Sequence, residues 1–199
     1  MNVVLVRHGE TEWTLSGRHT SRTDIPLTNN GRGEAEALGK RLRGWSFARA
    51  LSSPMQRALD TCRLAGVSGD PELREDLMEW DYGDYEGRTT KEIRAERPGW
   101  FLFRDGAPEG ETAAEVGMRV DRVIAEIGSG EGDVAVFAHG HVLRVFGARW
   151  IELRPADASR FALDPASLSL LGYERETPVI ILWNETQLPI DLRVRARAE

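Results

Sequence analysis

The sequence has 199 residues, 41% of them hydrophobic, which is enough to bury the core of one ordinary domain spanning residues 1–199. Its 26 basic and 32 acidic residues give a net charge of −6, which argues against nucleic acid or an anionic membrane as the main partner. The single cysteine, Cys62, excludes an internal disulfide bond, and with no signal peptide or membrane span of roughly 18 apolar residues, a cytoplasmic protein is expected.

The first predicted element is a buried strand over residues 3–6, formed by four branched apolar residues and followed directly by Arg7, His8 and Gly9. In open α/β sheets, ligands bind just beyond the carboxyl ends of the strands. An imidazole at that position can act as a nucleophile towards phosphorus, and a guanidinium can bind phosphate through two hydrogen bonds. Taken alone, however, an Arg–His pair more often just ends a strand in solvent, so the rest of the chain must decide.

Residues 14–24 are predicted to form a polar loop. Five hydroxyl-bearing or basic side chains follow one another there: Arg18, His19, Thr20, Ser21 and Arg22. Such a run can line an anion pocket, but loops are usually polar in any case, and both interpretations stay open. A helix follows, with Thr28 as its N-cap and with Ala35, Leu38 and Leu42 on its buried face.

A second strand over residues 48–51 leads into a further predicted helix over residues 55–65. Ser53 is expected to be its N-cap and Pro54 its first helical residue. Cys62 falls on the apolar face of this helix, which favours a packing role over a reactive thiol. Arg57 lies in the first turn, where the helix dipole disfavours a cation. An anion site and simple solvation both explain Arg57 there.

Residues 77–87 fit neither an amphipathic helix nor an alternating strand, because they combine three aromatic residues, four carboxylates and two glycines. The segment is predicted to be an ordered loop whose aromatic rings exclude water from one carboxyl group. Removal of water raises the pKa of a carboxylic acid and suits it to donate a proton. The residues alone do not tell which carboxylate has that role, since several must be solvated.

The second half of the chain continues the alternation of helices and strands. A short helix over residues 91–96 and a rim or lid over residues 99–110 precede a long helix, which opens with a capping box at Thr112 and Glu115. A strand over residues 133–138 is followed by His139, Gly140 and His141, in the same position relative to their strand as Arg7 and His8. If the two strands are parallel neighbours, both strand ends face one crevice.

The remaining elements complete the predicted fold. Residues 142–148 form a largely buried helix, and residues 168–173 and 179–183 form closing strands, the last at an edge because of Pro178. The arginines of the tail, Arg193, Arg195 and Arg197, are expected to be solvated. The whole pattern predicts an α/β fold: a three-layer α/β/α sandwich with a mainly parallel sheet and helices on both faces.

With these motifs together, the sequence resembles the histidine phosphatase superfamily, in the branch that includes cofactor-dependent phosphoglycerate mutases. The resemblance covers nearly the whole chain and rests on motifs that occur in the family's order: Leu5-Val6-Arg7-His8-Gly9-Glu10-Thr11, Asp24-Ile25-Pro26-Leu27-Thr28, Ser52-Ser53-Pro54 with Arg57, Glu79 with Tyr82-Gly83, Glu86-Gly87, and Ala138-His139-Gly140.

The resemblance implies a role for each catalytic residue. His8 is expected to be phosphorylated transiently, while Arg7, Arg57 and His139 hold the phosphoryl oxygens and Glu79 protonates the leaving oxygen. These roles agree with the chemistry, because phosphoryl transfer depends largely on fixed positive groups around the transferred phosphorus. No metal and no cofactor are required by this mechanism.

The sequence departs from the mutase pattern at several positions. Thr14 stands where mutases have Asn, and Thr20 and Ser21 lie within a run that replaces an aromatic-Thr-Gly-Trp segment. The chain also lacks an evident insert between Glu79 and the second histidine, where mutases carry cations for the substrate carboxylate. Stand-alone phosphatases of the branch, some of which act on sugar bisphosphates, are the closer resemblance.

These features predict a metal-independent phosphatase that hydrolyses small phosphomonoesters through a phosphohistidine. The alternatives are a phosphoglycerate mutase-type phosphotransferase and an inactive phosphate-binding module. The partner is expected to be a small phosphorylated metabolite, with no nucleic acid and no membrane, and the oligomeric state stays open, a homodimer included. The residues expected to contact the substrate, besides the catalytic ones, are Thr14, Thr20, Ser21, Tyr82, Gly140 and His141.

Overall fold

The computed structural model describes residues 1–67 and 69–186 and contains a six-stranded sheet. The strands are β1 (Val3–Arg7), β2 (Phe47–Ser52), β3 (Glu72–Leu73), β4 (Asp133–Ala138), β5 (Leu168–Glu174) and β6 (Thr177–Glu185). The five strands predicted from the sequence are confirmed, with small differences at their ends, and β3 was not predicted. The three tail arginines lie outside the described residues.

The sheet is mixed, with strand order β3-β2-β4-β1-β5-β6. The pairs β3–β2, β2–β4 and β4–β1 are parallel, as expected, but β5 pairs antiparallel with β1, and β6 pairs antiparallel with β5. Because only a tight turn joins β5 to β6, these two strands form a hairpin, which is necessarily antiparallel. Pro178 lies in β6, at the edge of the sheet, as predicted.

Helices flank the sheet on both faces. They are α1 (Glu12–Ser16), α2 (Asn29–Arg41), α3 (Gln56–Leu64), α4 (Thr90–Glu96), α5 (Leu102–Asp105), α6 (Ala113–Gly128) and α7 (Gly140–Trp150). Short 3-10 helices occupy Glu75–Leu77, Gly83–Tyr85 and Pro155–Arg160. Among residues 1–67 and 69–186, no helix is both long and apolar enough to cross a membrane.

The alternation of side chains along the central strands produces two cores. Val3 and Leu5 of β1 belong to a buried cluster with residues of α6 and α7, whereas Val4 and Val6 belong to a second cluster with residues of α2 and α3. All four side chains are at most 1% exposed. The three-layer arrangement predicted from the sequence is therefore confirmed.

Two predicted boundaries are wrong. Residues 14–24 are not all loop, because α1 begins at Glu12 and its N-terminal capping box joins Thr11 and Thr14. Helix α3 begins at Gln56 with Met55 as its N-cap, and Ser53 is not the cap. Ser53 instead forms a hydrogen bond with a histidine of the site described below. The capping roles of Thr28 in α2 and of Thr112 with Glu115 in α6 are confirmed.

The segment predicted as a rim or lid, residues 99–110, contains α5 and packs into the core. Trp100, Leu102 and Phe103 are each at most 4% exposed and belong to the same cluster as α6 and α7. Arg104 points away from that core and pairs with Asp105. The segment is thus anchored by its aromatic residues, and it is not among the residues that line the cavity described below.

Candidate active site

His8 and His139 follow two adjacent parallel strands, β1 and β4. Arg7 is in register with Ala138, and the ring centroids of His8 and His139 are 5.2 Å apart. The backbone N–H of His8 donates to the carbonyl of Ala138 at 3.0 Å, which ties the two strand ends together. Both histidines therefore lie just beyond the carboxyl ends of the parallel strands, where ligands of α/β proteins bind.

The His8 ring is held as a neutral imidazole with one defined tautomer. Its Nδ1 lies 2.8 Å from the carbonyl oxygen of Gly9, and because a carbonyl only accepts hydrogen bonds, Nδ1 carries the proton. Nε2 therefore keeps its lone pair. Burial, with the charges of Arg57 and Arg7, holds the pKa of His8 well below its ordinary value of 6.5. At neutral pH the side chain is uncharged, with a lone pair on Nε2 that is capable of nucleophilic attack.

Gly9 allows the chain to turn directly after His8. A Cβ atom at Gly9 would lie 2.4 Å from the carbonyl oxygen of Gly31 in α2, closer than any real contact. The backbone N–H of Gly9 also donates to Oγ1 of Thr61 in α3, at 3.1 Å. The turn is thus packed against two helices, which fixes the carbonyl that orients His8.

Arg7 supplies a fixed cation beside His8. One Nη of Arg7 donates to the carbonyl of Leu163, and Nε is buried with no hydrogen-bond partner among the described residues. Burial lowers the pKa of Arg7, and the nearby Glu79 opposes that shift. A guanidinium remains charged even so. Gly140 permits the close packing here, since a Cβ atom at that position would lie 3.2 Å from Cζ of Arg7.

Arg57 and His139 are completely buried and are joined by a hydrogen bond. Nε of Arg57 donates to Nδ1 of His139 at 3.1 Å, so the proton of the neutral His139 ring is on Nε2, which lies 2.8 Å from Oγ of Ser53. The two Nη atoms of Arg57 donate to the carbonyls of Thr20, Ser21 and Thr23. Burial and the Arg57 charge hold the pKa of His139 well below 6.5. Neither side chain lines the cavity; both lie behind it.

Glu79 reaches the same site from the loop between β3 and α4. Its carboxylate accepts three backbone hydrogen bonds, each 2.9 Å long, from the N–H groups of Trp80, His141 and Val142. His141 and Val142 belong to the first turn of α7, whose N–H groups have no partners within the helix. Glu79 therefore caps α7 from a distant part of the chain. These contacts fix its position, 6% exposed, at the cavity wall.

Tyr82 and His141 form a hydrogen-bonded pair on the same wall. The hydroxyl of Tyr82 lies 2.6 Å from Nδ1 of His141. Burial raises the pKa of Tyr82 well above 10, and burial with the charge of Arg144 holds the pKa of His141 well below 6.5. The pair is therefore uncharged at neutral pH, and both side chains can still exchange hydrogen bonds with a polar ligand.

These side chains surround an open cavity with a volume of about 200 Å³. The cavity is lined by Arg7, His8, Trp13, Thr14, Gly17, Arg18, His19, Thr20, Glu79, Tyr82, Gly140, His141, Arg144 and Leu163. Of the residues proposed from the sequence, Ser21 is the one substrate-contact candidate that lies elsewhere. It is buried behind the wall, where its hydroxyl donates to the carbonyl of Glu79.

Three lining residues escaped the sequence analysis: Trp13, Arg144 and Leu163. Trp13 lies in α1, which was not predicted as a helix. Arg144 lies between buried Leu143 and Val145 in α7, and a signal for it was present in the spacing. In a helix, residues three apart share a face. Arg144 therefore follows His141 on the side of α7 that meets the cavity.

No metal site accompanies this arrangement in the part of the chain that the structure describes, where no group of three or more His, Cys, Asp or Glu residues could hold an ion. The positive charge at the cavity instead comes from arginine. Arg7 lines its inner end, beside His8, and Arg18 and Arg144 line other parts of the wall.

Comparisons with known proteins agree with this geometry. An acid phosphatase of Mycobacterium tuberculosis is 41% identical over 176 residues, with 86% of each chain covered. A sedoheptulose 1,7-bisphosphatase of Saccharomyces cerevisiae is 39% identical over 183 residues, covering 75% of this chain and 67% of the yeast protein. A 2,3-bisphosphoglycerate-dependent phosphoglycerate mutase of Gloeobacter violaceus is 32% identical over 178 residues, with 81% of each chain covered.

The fold comparison leads to the same group of proteins. The solved structure of an open reading frame product from Mycobacterium tuberculosis has a TM-score of 0.88 and 39% identity, covering 93% of this chain and 97% of that chain. The family model of the histidine phosphatase superfamily (branch 1) matches residues 3–186. With its two strand-end histidines adjacent and the match spanning nearly its whole length, the chain belongs to the histidine phosphatase superfamily, branch 1.

Proposed function

We propose that this protein is a phosphatase that hydrolyses small phosphomonoesters by transferring the phosphoryl group first to His8 and then to water. The observation that carries the proposal is the state of His8. It is a neutral imidazole whose Nδ1–H is bonded to Gly9, which leaves the Nε2 lone pair available in a cavity shared with Arg7 and Glu79. The acid phosphatase and sedoheptulose bisphosphatase relatives support the hydrolase class.

In the first step, the Nε2 lone pair of His8 attacks phosphorus, and the bond between phosphorus and the ester oxygen breaks. The departing oxygen takes the proton of the Glu79 carboxylic acid, so that a neutral alcohol leaves. The fixed charge of Arg7 stabilises the negative oxygens of the transferred group. Because Glu79 Oε2 accepts a single backbone N–H, it has a lone pair free to carry that proton.

In the second step, Glu79 acts as a base. Its carboxylate takes a proton from a water molecule while the water oxygen attacks the phosphorus of phosphorylated His8. The N–P bond breaks, its electron pair returns to Nε2, and free phosphate leaves. The enzyme regains a neutral His8 and a protonated Glu79, so no other reactant is consumed.

Arg57 and His139 are proposed to support both steps from behind His8. Arg57 contributes positive charge and holds the backbone of the loop that contains Thr20 and Ser21. For His139 to donate to a phosphoryl oxygen, its Nε2–H would have to exchange its bond to Ser53 for one to the substrate. That exchange involves two neutral groups and leaves the Arg57 bond in place.

The phosphoglycerate mutase relatives favour one competing function, a phosphotransferase that returns the phosphoryl group to its product. Such an enzyme must keep water from the phosphoenzyme and hold the product's carboxylate. The best candidate lid, residues 99–110, is anchored in the core, and its Arg104 is bonded to Asp105 and to the carbonyl of Gly99. These features support hydrolysis over mutase activity.

We propose that the protein acts in the cytoplasm, since that is where small phosphorylated metabolites are mainly made and used.

One sample of the purified protein can separate these functions. Free phosphate and the ratio of 2- to 3-phosphoglycerate are followed in parallel, with 2,3-bisphosphoglycerate supplied, and p-nitrophenyl phosphate serves as a general ester. We expect phosphate release with negligible isomerisation. Isomerisation that outpaces phosphate release would favour the mutase, and no turnover of any ester would favour an inactive binding module.

A further inference from the structure

We infer that Arg144 binds a second anionic group of the substrate, carried by the leaving alcohol, so that the preferred substrates are phosphomonoesters with a phosphate or carboxylate at their other end. This inference rests on the proposed function, because it assigns the far end of the substrate whose near end reacts at His8. The argument depends on how Arg144 is held, on what balances its charge, and on its place in the cavity.

Arg144 is held rigidly at the cavity wall. Its Nε donates to the carbonyl of Ala158 at 3.3 Å, and one Nη donates to the carbonyl of Ser159 at 3.1 Å. The guanidinium also stacks over Phe103, with Cζ 4.7 Å from the ring centroid. These contacts use two of its five N–H groups and leave the others free to bind a ligand. A pre-positioned guanidinium loses little conformational entropy on binding.

No carboxylate lies within ion-pair distance of Arg144 in the described residues, and the more distant Glu79 offsets its charge only in part. Among residues 1–67 and 69–186, no salt bridge within 4.0 Å involves Arg144, whereas the other cation of the outer wall, Arg18, lies 3.9 Å from Glu92. Arg149, in the same helix, pairs with Asp121 at 2.8 Å. Burial lowers the pKa of Arg144 to about 10, so it stays charged at neutral pH. A partly buried cation without an anionic partner gains most from an anion that enters the cavity.

Arg144 lies in a different part of the cavity from the residues proposed to hold the reacting phosphoryl group. It lies one helical turn beyond His141, whereas the reacting phosphoryl group is held by Arg7 beside His8. His141 and Tyr82 are uncharged. The cavity therefore presents two cationic positions, Arg7 and Arg144, with polar neutral groups alongside, which complements a polar substrate with an anion at each end.

The test compares monoesters that differ only at their far end. Three series of linear alkyl phosphates of increasing chain length carry a terminal hydroxyl, a terminal carboxylate or a second phosphate, and all are assayed at constant ionic strength. Initial phosphate release gives kcat/KM for the wild-type protein, for Arg144→Gln and for Arg149→Gln. Arg149→Gln makes the same charge change in the same helix but away from the cavity. p-Nitrophenyl phosphate, which has no second anion, reports catalysis itself.

We expect the wild type to prefer the esters with a second anionic group over the hydroxyl ester at one or more chain lengths. Arg144→Gln should lower that preference by about 10- to 100-fold, as expected for a charge-assisted hydrogen bond, and the p-nitrophenyl phosphate turnover of each variant corrects for any loss of catalysis itself. Arg149→Gln should keep the preference. The carboxylate and phosphate arms then show which anion Arg144 selects.

The inference is overturned if the wild type shows no preference at any length, or if Arg144→Gln lowers all substrates equally, as a purely structural arginine would. Should Arg144→Gln fail to fold, Arg144→Lys keeps the charge and should retain part of the preference. Calorimetric titration with alkane bisphosphonates and monophosphonates tests Arg144 without turnover. If p-nitrophenyl phosphate is not hydrolysed, the proposed function fails, and the titration still decides whether Arg144 binds a second anion.

Discussion

The floor and the mouth of the cavity are built in different ways. The floor consists of Arg7, His8 and Glu79, which are held by strand ends and by backbone hydrogen bonds in the core. The mouth consists of Trp13 in α1, Arg18 and His19 in the loop after α1, and Arg144 in α7. His8 and Glu79 are buried and Arg7 is half-buried, whereas Arg18 is exposed.

If the protein works as proposed, the floor residues carry out the chemical step and the mouth residues select the substrate. Groups that must contact phosphorus in one geometry are fixed by the sheet, because a small displacement there costs a large factor in rate. Groups that contact the rest of the substrate can vary without disturbing the sheet. Substitutions in the floor should therefore affect every substrate, and substitutions in the mouth should change the preference among substrates.

The largest effect is expected at Glu79. Glu79→Gln cannot donate a proton, so hydrolysis of alkyl esters, whose leaving groups need protonation, should fall by about 10² to 10⁴. Activated aryl phosphates need less protonation and should lose less in the phosphorylation step. Single-turnover phosphorylation with matched alkyl and aryl esters measures this difference. Equal losses for the two classes would remove Glu79 from the role of acid.

His139 should have the next largest effect. His139→Ala removes a donor close to His8 and also leaves Nε of Arg57 without its acceptor, so phosphorylation should slow by roughly 10² while the fold is kept. Ser53→Ala is the informative comparison, because it removes the group that now accepts from Nε2 of His139. If His139 donates to the substrate, Ser53→Ala should keep most of the activity. A phosphorylation rate unchanged in His139→Ala would exclude that role.

Gly9 tests whether the floor depends on close backbone packing. A Cβ atom at Gly9 would lie 2.4 Å from the carbonyl oxygen of Gly31, so Gly9→Ala should lower the free energy of unfolding by about 1–3 kcal/mol. Gly33→Ala is a matched control in α2, since a Cβ atom there meets nothing within 4 Å and alanine favours helix. Urea unfolding of both variants measures the difference. Equal stability of the two would contradict the packing argument.

The smallest effect concerns the mouth and depends on pH. Burial lowers the pKa of His19 from 6.5 to about 4. Because the unfolded chain takes up its proton first as the pH falls below 6.5, the neutral folded ring loses stability between pH 6.5 and about 4. This one residue should cost about 2 kcal/mol between pH 7 and pH 5.

Replacement of His19 by Gln removes that titration. The difference in the free energy of unfolding between pH 7 and pH 5 should therefore be smaller in His19→Gln than in the wild type. His8, His139 and His141 also have lowered pKa values and act in the same direction in both proteins, so their contributions largely cancel, and of the three only the pKa of His141 is influenced by His19. An identical pH dependence in the two proteins would show that His19 is not buried as a neutral ring.

Much of the fold and most of the floor could be predicted from local patterns. The strand over residues 3–6 and the strand over 133–138 are uninterrupted apolar runs, and the residues that follow them have an unusual composition. Because parallel strands place their carboxyl ends together, the sequence brought His8 and His139 together only on the condition that their strands are neighbours, and β1 and β4 do pair in parallel. The choice of Glu79 among four carboxylates came from the family resemblance alone.

The parts that could not be predicted depend on contacts between distant segments. Ser53 has the position and sequence of an N-cap, yet it bonds to His139, and only the packing of β2 against β4 brings the two together. Similarly, Glu79 caps α7 across 62 residues. Arg144 is flanked by core residues in the sequence, and its place at the mouth depends on which face of α7 is left uncovered.

The central claim is that the phosphoryl group passes through His8, and trapping the phosphoenzyme tests it most directly. The protein is quenched within its first turnover with a ³²P-labelled monoester, and the label is then challenged with acid and with base. We predict a label that is stable in base and labile in acid, as for phosphohistidine, present in the wild type and absent from His8→Ala. His8→Ala protein that labels at the native rate would contradict the account.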